Sequence, residues 1–148
     1  MELKFNRTAC IACTSGLLFF FGWWLFIDVT VQYGKVMKEN GVYFLPGILG
    51  TISGILMNLI PLDALTGSIL YGTTRCGIKS STAARLLLLF CLMILFGSII
   101  AAIYILISDF GLNQSRPQYP GYGIFIQNIS IFSAAMIIRF TKREDNLI

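Results

Sequence analysis

Few side chains in this sequence have the chemistry to bind or react, and three of them stand inside apolar segments. Asp28 is the one acid within an apolar run, and Gln127 and Asn128 are neighbours in the last such run. A carboxylate at the centre of a membrane helix costs about 2.5–3.5 kcal/mol on insertion scales, so it is expected to have a function or a polar partner. Because Asp28 stands near the end of its run, we interpret it as an interfacial acid that pairs with a polar residue on another helix. A proton or cation site is the alternative.

Depth in the membrane relates these three residues. With a rise of about 1.5 Å per helical residue, Gln127 and Asn128 come within one turn of the depth of Asp28. The three side chains are therefore predicted to form one polar cluster. Hydrogen bonds between helices in lipid contribute roughly 0.6 kcal/mol on average, which is enough to fix the register of the helices. Trp23 and Trp24, about one turn before Asp28, are interpreted as residues of an aromatic belt at the membrane interface.

Cysteines are the remaining reactive side chains. Cys10 and Cys13 form a C-x-x-C at the start of the first apolar run, but a zinc site needs a second pair or histidines, and the chain has no histidine. We expect no metal and no cofactor. The pair is interpreted as small residues near the interface, with palmitoylation as the alternative. No serine or cysteine stands beside a base in the sequence, so we expect no enzymatic activity.

Four long apolar segments must hold these residues in place. Of the 148 residues 56% are hydrophobic and 12% are charged, and the mean hydropathy is +0.77. A soluble domain of this size cannot bury so much apolar surface, whereas lipid can face it directly. Only a helix satisfies its own backbone while crossing a bilayer. The predicted fold is all-α, a four-helix membrane bundle forming one domain over residues 1–148, with helices at about 9–31, 43–60, 83–107 and 122–140.

Basic residues are unevenly divided between the two ends of the predicted bundle. Because Lys and Arg concentrate on the cytosolic side of membrane proteins, the more basic end is predicted to be cytosolic, and this end carries both termini. The scattered charges fit membrane orientation, and no nucleic-acid partner is expected. Eight basic residues lie at the end that carries the termini and three at the other: Lys4, Arg7, Arg75, Lys79, Arg85, Arg139, Lys142 and Arg143, against Lys35, Lys38 and Arg116.

Small residues recur at four-residue spacing along the predicted helices. The second helix carries Gly50 and Gly54 with Gly47 alongside, and the third carries Gly97 and Ala101. This spacing lets helix backbones approach closely. We interpret these residues as packing contacts within the bundle, and a face for another membrane subunit is the alternative.

Short motifs in three of the four apolar segments carry a family resemblance. Residues 22–28 read Gly-Trp-Trp-Leu-Phe-Ile-Asp; residues 84–85 and 96–101 read Ala-Arg and Phe-Gly-Ser-Ile-Ile-Ala; residues 119–121 and 125–128 read Tyr-Pro-Gly and Phe-Ile-Gln-Asn. In order and spacing they resemble the motifs of the transmembrane protein 50 family, small tetraspan proteins whose fungal relatives include the vacuolar-sorting protein 68. The resemblance covers most of the chain. The second helix and the loop at residues 61–82 match weakly, and Cys10 and Cys13 sit closer to the first helix than the family's cysteine pair.

The resemblance has implications for location, activity and partners. It implies an integral membrane protein of endomembranes, in the late endosome, the Golgi or the endoplasmic reticulum. It also implies a non-enzymatic subunit that supports endosomal and vacuolar protein sorting. The implied partner is another small polytopic membrane protein similar to the vacuolar-sorting protein 55, in addition to membrane lipid. The alternative function is a small transporter or channel subunit built around Asp28.

Overall fold

The computed structural model describes residues 2–61, 65, 81–112 and 115–147, and its long elements are helices. A 3₁₀ turn at Gly41–Phe44 leads into the third helix, and a π-helical turn at Leu106–Gly111 extends the fourth. The helices are α1 (Glu2–Gln32), the short α2 (Gly34–Glu39), α3 (Leu45–Leu59), α4 (Ser81–Ile105) and α5 (Tyr119–Leu147).

Among the described residues, four helical segments are long and apolar enough to cross a membrane, namely Ala9–Gln32, Gly41–Leu59, Thr82–Gly111 and Tyr119–Thr141. This confirms the predicted all-α membrane architecture. Helix α1 begins before, and α5 ends after, the predicted span, because a helix that leaves the hydrocarbon keeps its backbone hydrogen bonds. The structure also contains α2, a short helix within the predicted first loop, and its Met37 is fully buried against the bundle.

Helix α5 is the centre of the bundle, because it packs against α1, α3 and α4. We call the end of the bundle with α2 and the π-helical turn the loop side, and the end with the start of α1 and the end of α5 the terminus side. One apolar cluster, including Phe26 and Phe110, fills the loop side. Another, including Met57 and Leu95, fills the terminus side. Along α5, the buried Gln127 and Asn128 lie between Ile124 of the first cluster and Ala135 of the second.

The glycine stripe of α3 lies inside the bundle. An added Cβ at Gly47 would lie 2.7 Å from both polar atoms of the Gln127 side chain. At Gly50 it would lie 3.1 Å from a hydroxyl of α4, and at Gly54 3.3 Å from a methyl group of α5. All three glycines are buried, so the stripe lets α3 approach its neighbours within this chain, and Gly54 also lines a groove between the helices.

The small residues of α4 have different surroundings. Gly97 is exposed, and no atom lies within 4 Å of the position of an added Cβ. Ala101 is half-buried. Gly97 therefore faces the membrane, and its small size serves no contact within the described chain.

Candidate functional site

Asp28 lies at the loop side and is paired across two helices. Gln32 Nε2, one turn later in α1, lies 2.9 Å from each carboxylate oxygen. The hydroxyl of Tyr119, at the start of α5, donates to Asp28 Oδ2 at 3.3 Å. The Tyr119 ring packs beside that of Tyr33, with 5.8 Å between centroids. Asp28 thus has a neutral polar partner on a second helix, although the residue that provides it, Tyr119, was not predicted.

Within the predicted polar cluster of Asp28, Gln127 and Asn128, the structure shows no hydrogen bond from Asp28 to either amide. Neither polar atom of the Gln127 side chain has a hydrogen-bond partner, and neither does Asn128 Oδ1. Asn128 Nδ2 donates to Ile124 O of its own helix at 2.9 Å. The prediction relied on depth alone, which does not fix the direction in which a side chain points. The longer side chain of Tyr119 reaches Asp28 instead.

Gln127 is fully buried, with its side-chain amide against Gly47 and its backbone against Gly22. Its side chain is 0% exposed, and it fills the space that a side chain at Gly47 of α3 would need. On the other side, an added Cβ at Gly22 of α1 would lie 3.1 Å from the backbone oxygen of Gln127. A buried polar group without a partner costs about 1–3 kcal/mol, and surrounding lipid offers it no water. The interior therefore contains an amide with unused hydrogen-bonding capacity.

A hydrogen bond joins α1 to α3 close to this amide. Trp23 Nε1 donates to Thr51 Oγ1 at 3.2 Å, and Thr51 Oγ1 donates to Gly47 O at 2.7 Å. Trp24, the next residue, is 73% exposed. Successive helical residues point about 100° apart, so the two tryptophans cannot share one environment. The interpretation of Trp23 as a belt residue is wrong, because its ring is directed into the bundle.

A groove lies between α1, α3 and α5 toward the terminus side, with a volume of about 550 Å³. Polar side chains in its wall bond to backbone within the bundle: Ser15 Oγ donates to Ala12 O at 3.0 Å. The groove therefore presents an apolar surface to the membrane. Its small and apolar lining residues include Ala12 and Gly16 of α1, Gly54 and Ile55 of α3, and Ala134 and Ile138 of α5.

The inner end of the groove adjoins the buried amide. Phe19, Thr51 and Ile131 line the groove, one from each helix. Residues four apart lie on the same helical face. One turn nearer the loop side, these faces carry Trp23 on α1, Gly47 on α3 and Gln127 on α5. The Trp23–Thr51 hydrogen bond joins α1 to α3 at this end, and Gln127 itself does not line the groove. The groove and the Gln127 amide together form the candidate site.

Two arginines join elements at the ends of the bundle. On the loop side, Arg116 forms an ion pair with Glu39 at 2.8 Å, which ties the segment just before α5 to α2. On the terminus side, Arg139 Nη1 of α5 donates to Met57 O at 3.3 Å and to Ile60 O at 2.7 Å. Arg139 therefore satisfies carbonyl groups at the end of α3 that have no partner within that helix.

The cysteines stand apart from this site. Cys10 and Cys13 are exposed free thiols near the start of α1, and Cys91 is a buried one. Cys76 lies outside the described residues. In the part of the chain that the structure describes, no group of three or more His, Cys, Asp or Glu residues could hold a metal ion.

Residues of the short sequence motifs meet one another in the fold. Gly22 of the Gly-Trp-Trp segment packs on Gln127 of the Phe-Ile-Gln-Asn segment. Asp28 accepts a hydrogen bond from Tyr119 of the Tyr-Pro-Gly segment. The contacts of Gly22 and Tyr119 were not predicted from the sequence, although both residues belong to these motifs.

Comparisons with known proteins agree with the motif pattern. A family model described as Uncharacterised protein family UPF0220 matches residues 1–147. A curated relative named transmembrane protein 50 homolog, from Dictyostelium discoideum, is 30% identical over 146 residues, with 89% of each chain covered. No solved structure matches the chain.

Proposed function

Since the chain belongs to the transmembrane protein 50 family, we propose that it is a non-enzymatic membrane subunit that supports endosomal and vacuolar protein sorting. The observation that carries the proposal is the groove between α1, α3 and α5, where small apolar residues face the membrane. We place the protein in an endomembrane, either late endosome, Golgi or endoplasmic reticulum, with both termini cytosolic. The compartment follows from the motif resemblance, and the orientation follows from the excess of basic residues on the terminus side.

The proposed partner is another small polytopic membrane protein, similar to the vacuolar-sorting protein 55. Lipid gives two helices no hydrophobic reason to associate, so close packing and hydrogen bonds between helices must supply the contact. The groove has the small residues that close packing needs. Reversible palmitoylation of Cys10 or Cys13 is a compatible modification, because both thiols are exposed near the start of α1.

A transporter or channel subunit built around Asp28 is the competing function. Such a role needs an acid that a permeating ion can reach along the bundle. Asp28 is instead held at the loop side by Gln32 and Tyr119, and it is not part of the groove. These contacts favour a structural role for Asp28.

Replacing Asp28 with Asn separates the two functions. The amide that takes the place of the carboxylate keeps an oxygen acceptor for Tyr119 and Gln32, so we expect this variant to restore sorting in cells whose own copy is deleted. The measurement is the fraction of a vacuolar hydrolase that is secreted. This fraction is expected to be high in the deletion strain and to become low again when the wild-type protein or Asp28→Asn is expressed. Asp109→Asn, at another acid of the loop side, is the matched control. If deletion leaves hydrolase sorting unchanged, or if proteoliposomes show an ion flux that Asp28→Asn alone abolishes, the sorting proposal is wrong.

A further inference from the structure

We propose that the groove between α1, α3 and α5 receives one transmembrane helix of a partner protein, and that this helix presents a polar side chain to Gln127. The inference rests on the proposed function as a complex subunit. It adds the surface at which the partner binds and the chemistry by which the partner is recognised.

The buried amide of Gln127 identifies the kind of occupant. It is 0% exposed and neither of its polar atoms has a partner. A lipid acyl chain or an apolar side chain cannot form a hydrogen bond with it. A serine, threonine, asparagine or glutamine on a neighbouring helix can do so at this depth, and such residues are used to join helices in membranes.

The walls of the groove fit a helix that is apolar along the rest of its length. The hydroxyl of Ser15 bonds to its own helix, and Asn58 Nδ2 donates to Gly54 O at 2.9 Å and to Ala135 O at 3.3 Å. A polar or charged ligand would therefore find few donors or acceptors along the walls. The unpartnered polar atoms of Gln127 lie one helical turn beyond the inner end of the groove.

Gly16 gives an independent indication that another backbone approaches α1. No atom lies within 4 Å of the position of an added Cβ at Gly16, whereas Gly22 of the same helix would meet Ser130 at 2.9 Å. A glycine in a helix interior is less favourable than alanine by about 1 kcal/mol. Close contact inside the bundle explains Gly22 but not Gly16. Unlike the equally open Gly97, Gly16 lines the groove, where a seated helix would explain it.

The extent of the groove fits one half of a membrane helix. On α5 its lining runs from Ile131 to Ile138, a rise of about 10 Å at 1.5 Å per residue. This is most of one leaflet of a hydrocarbon core about 30 Å thick. The partner helix is thus expected to lie in the groove from the terminus side to near mid-membrane, where its polar residue meets the amide.

Access to the amide requires one local change. The hydrogen bond between Trp23 Nε1 and Thr51 Oγ1, 3.2 Å long, joins α1 to α3 at the inner end of the groove, and the Gln127 side chain one turn beyond it is fully buried. A change in the Trp23 side-chain rotamer would release Thr51 and expose the amide to the entering residue. We infer that the partner exchanges the Trp23–Thr51 bond for a bond to Gln127.

Photo-crosslinking from the groove in native membranes tests this proposal. A photoreactive amino acid replaces Ala12, which is exposed and lines the groove, or Leu17, which is 71% exposed and does not line it. The expected result is a covalent adduct from position 12 with a transmembrane peptide that contains a serine, threonine, asparagine or glutamine. Position 17 is expected to react with lipid.

Two further variants control for folding and for the choice of surface. Gly16→Leu partly fills the groove from a position where an added Cβ has no atom of this chain within 4 Å, and it is expected to reduce the peptide adduct at least about tenfold, or roughly 1.4 kcal/mol. Gly97→Leu, at an equally open glycine on α4, should leave it unchanged. If a membrane protein co-purifies with the chain but position 12 reacts with lipid alone, the groove assignment is wrong while the proposed function stands. If no membrane protein co-purifies with the wild-type chain, both are wrong.

Discussion

Leucine at both Gly50 and Gly54 is expected to prevent formation of the folded bundle. An added Cβ already comes within 3.1 Å of Ser98 Oγ at position 50 and within 3.3 Å of Ala135 Cβ at position 54. A leucine side chain extends well beyond its Cβ, so α3 must move away from both α4 and α5. Overpacking of this kind costs about 1–3 kcal/mol per site, a large part of the roughly 5–15 kcal/mol that stabilises a typical domain.

The measurement is the yield of monodisperse protein after extraction in a mild detergent, together with its thermal unfolding temperature. Gly97→Leu is the matched control, because it adds the same side chain to a membrane helix where nothing lies within 4 Å. We expect the double variant to aggregate and the control to match wild type. A double variant that folds normally and loses only its partner would mean that the stripe faces another subunit.

Replacing Arg139 with Met is expected to destabilise the bundle by about 2 kcal/mol or more. Nη1 of this side chain bonds to Met57 O and Ile60 O. Each carbonyl left unpaired in a buried position costs about 1–3 kcal/mol, and methionine keeps much of the apolar stem of arginine. The substitution therefore removes mainly the hydrogen bonds that hold the end of α3 to α5.

Arg85→Gln provides the comparison for this effect. Arg85 Nε donates to Leu65 O at 2.9 Å in an exposed position, where water replaces a lost hydrogen bond. Its unfolding temperature is expected to stay close to that of wild type, whereas that of Arg139→Met falls by several degrees. Equal changes in the two variants would show that Arg139 contributes no more than a surface arginine.

The membrane helices were predictable from sequence because few other structures can carry four long apolar runs. The direction of each side chain was not predictable. In α4 the buried Leu95 and the outward-facing Phe96, which is 52% exposed, are both apolar, because lipid and protein interior favour the same residues. Hydrophobic periodicity therefore does not mark the buried face, and Gly50 and Gly97 were indistinguishable although one is enclosed and the other is open.

Side-chain partners depend on geometry that residue spacing does not contain. Trp23 and Trp24 are identical in type and adjacent in sequence, yet one bonds to Thr51 and the other faces outward. The partner of Asp28 is Tyr119, which starts α5 three residues before the predicted helix. Depth estimates counted from the predicted boundary therefore selected the two amides and missed the tyrosine.

The most direct test of a partner-binding role for the buried amide is one substitution, Gln127→Met, with two measurements. Methionine has nearly the shape of glutamine without its polar amide, so the isolated chain no longer buries an unpartnered group. The free energy of unfolding is expected to increase by about 1–3 kcal/mol, which raises the thermal unfolding temperature. Recovery of the partner from membranes is expected to fall about threefold to twentyfold, the range for a lost hydrogen bond between membrane helices.

Opposite signs in the two measurements are the predicted result, because the amide would then be unfavourable in the isolated chain and favourable in the complex. A lower unfolding temperature would contradict this role, since it would mean that Gln127 has a stabilising partner inside the bundle, such as a buried water. A higher unfolding temperature with unchanged recovery of the partner would contradict it as well, since the amide would then take no part in recognition.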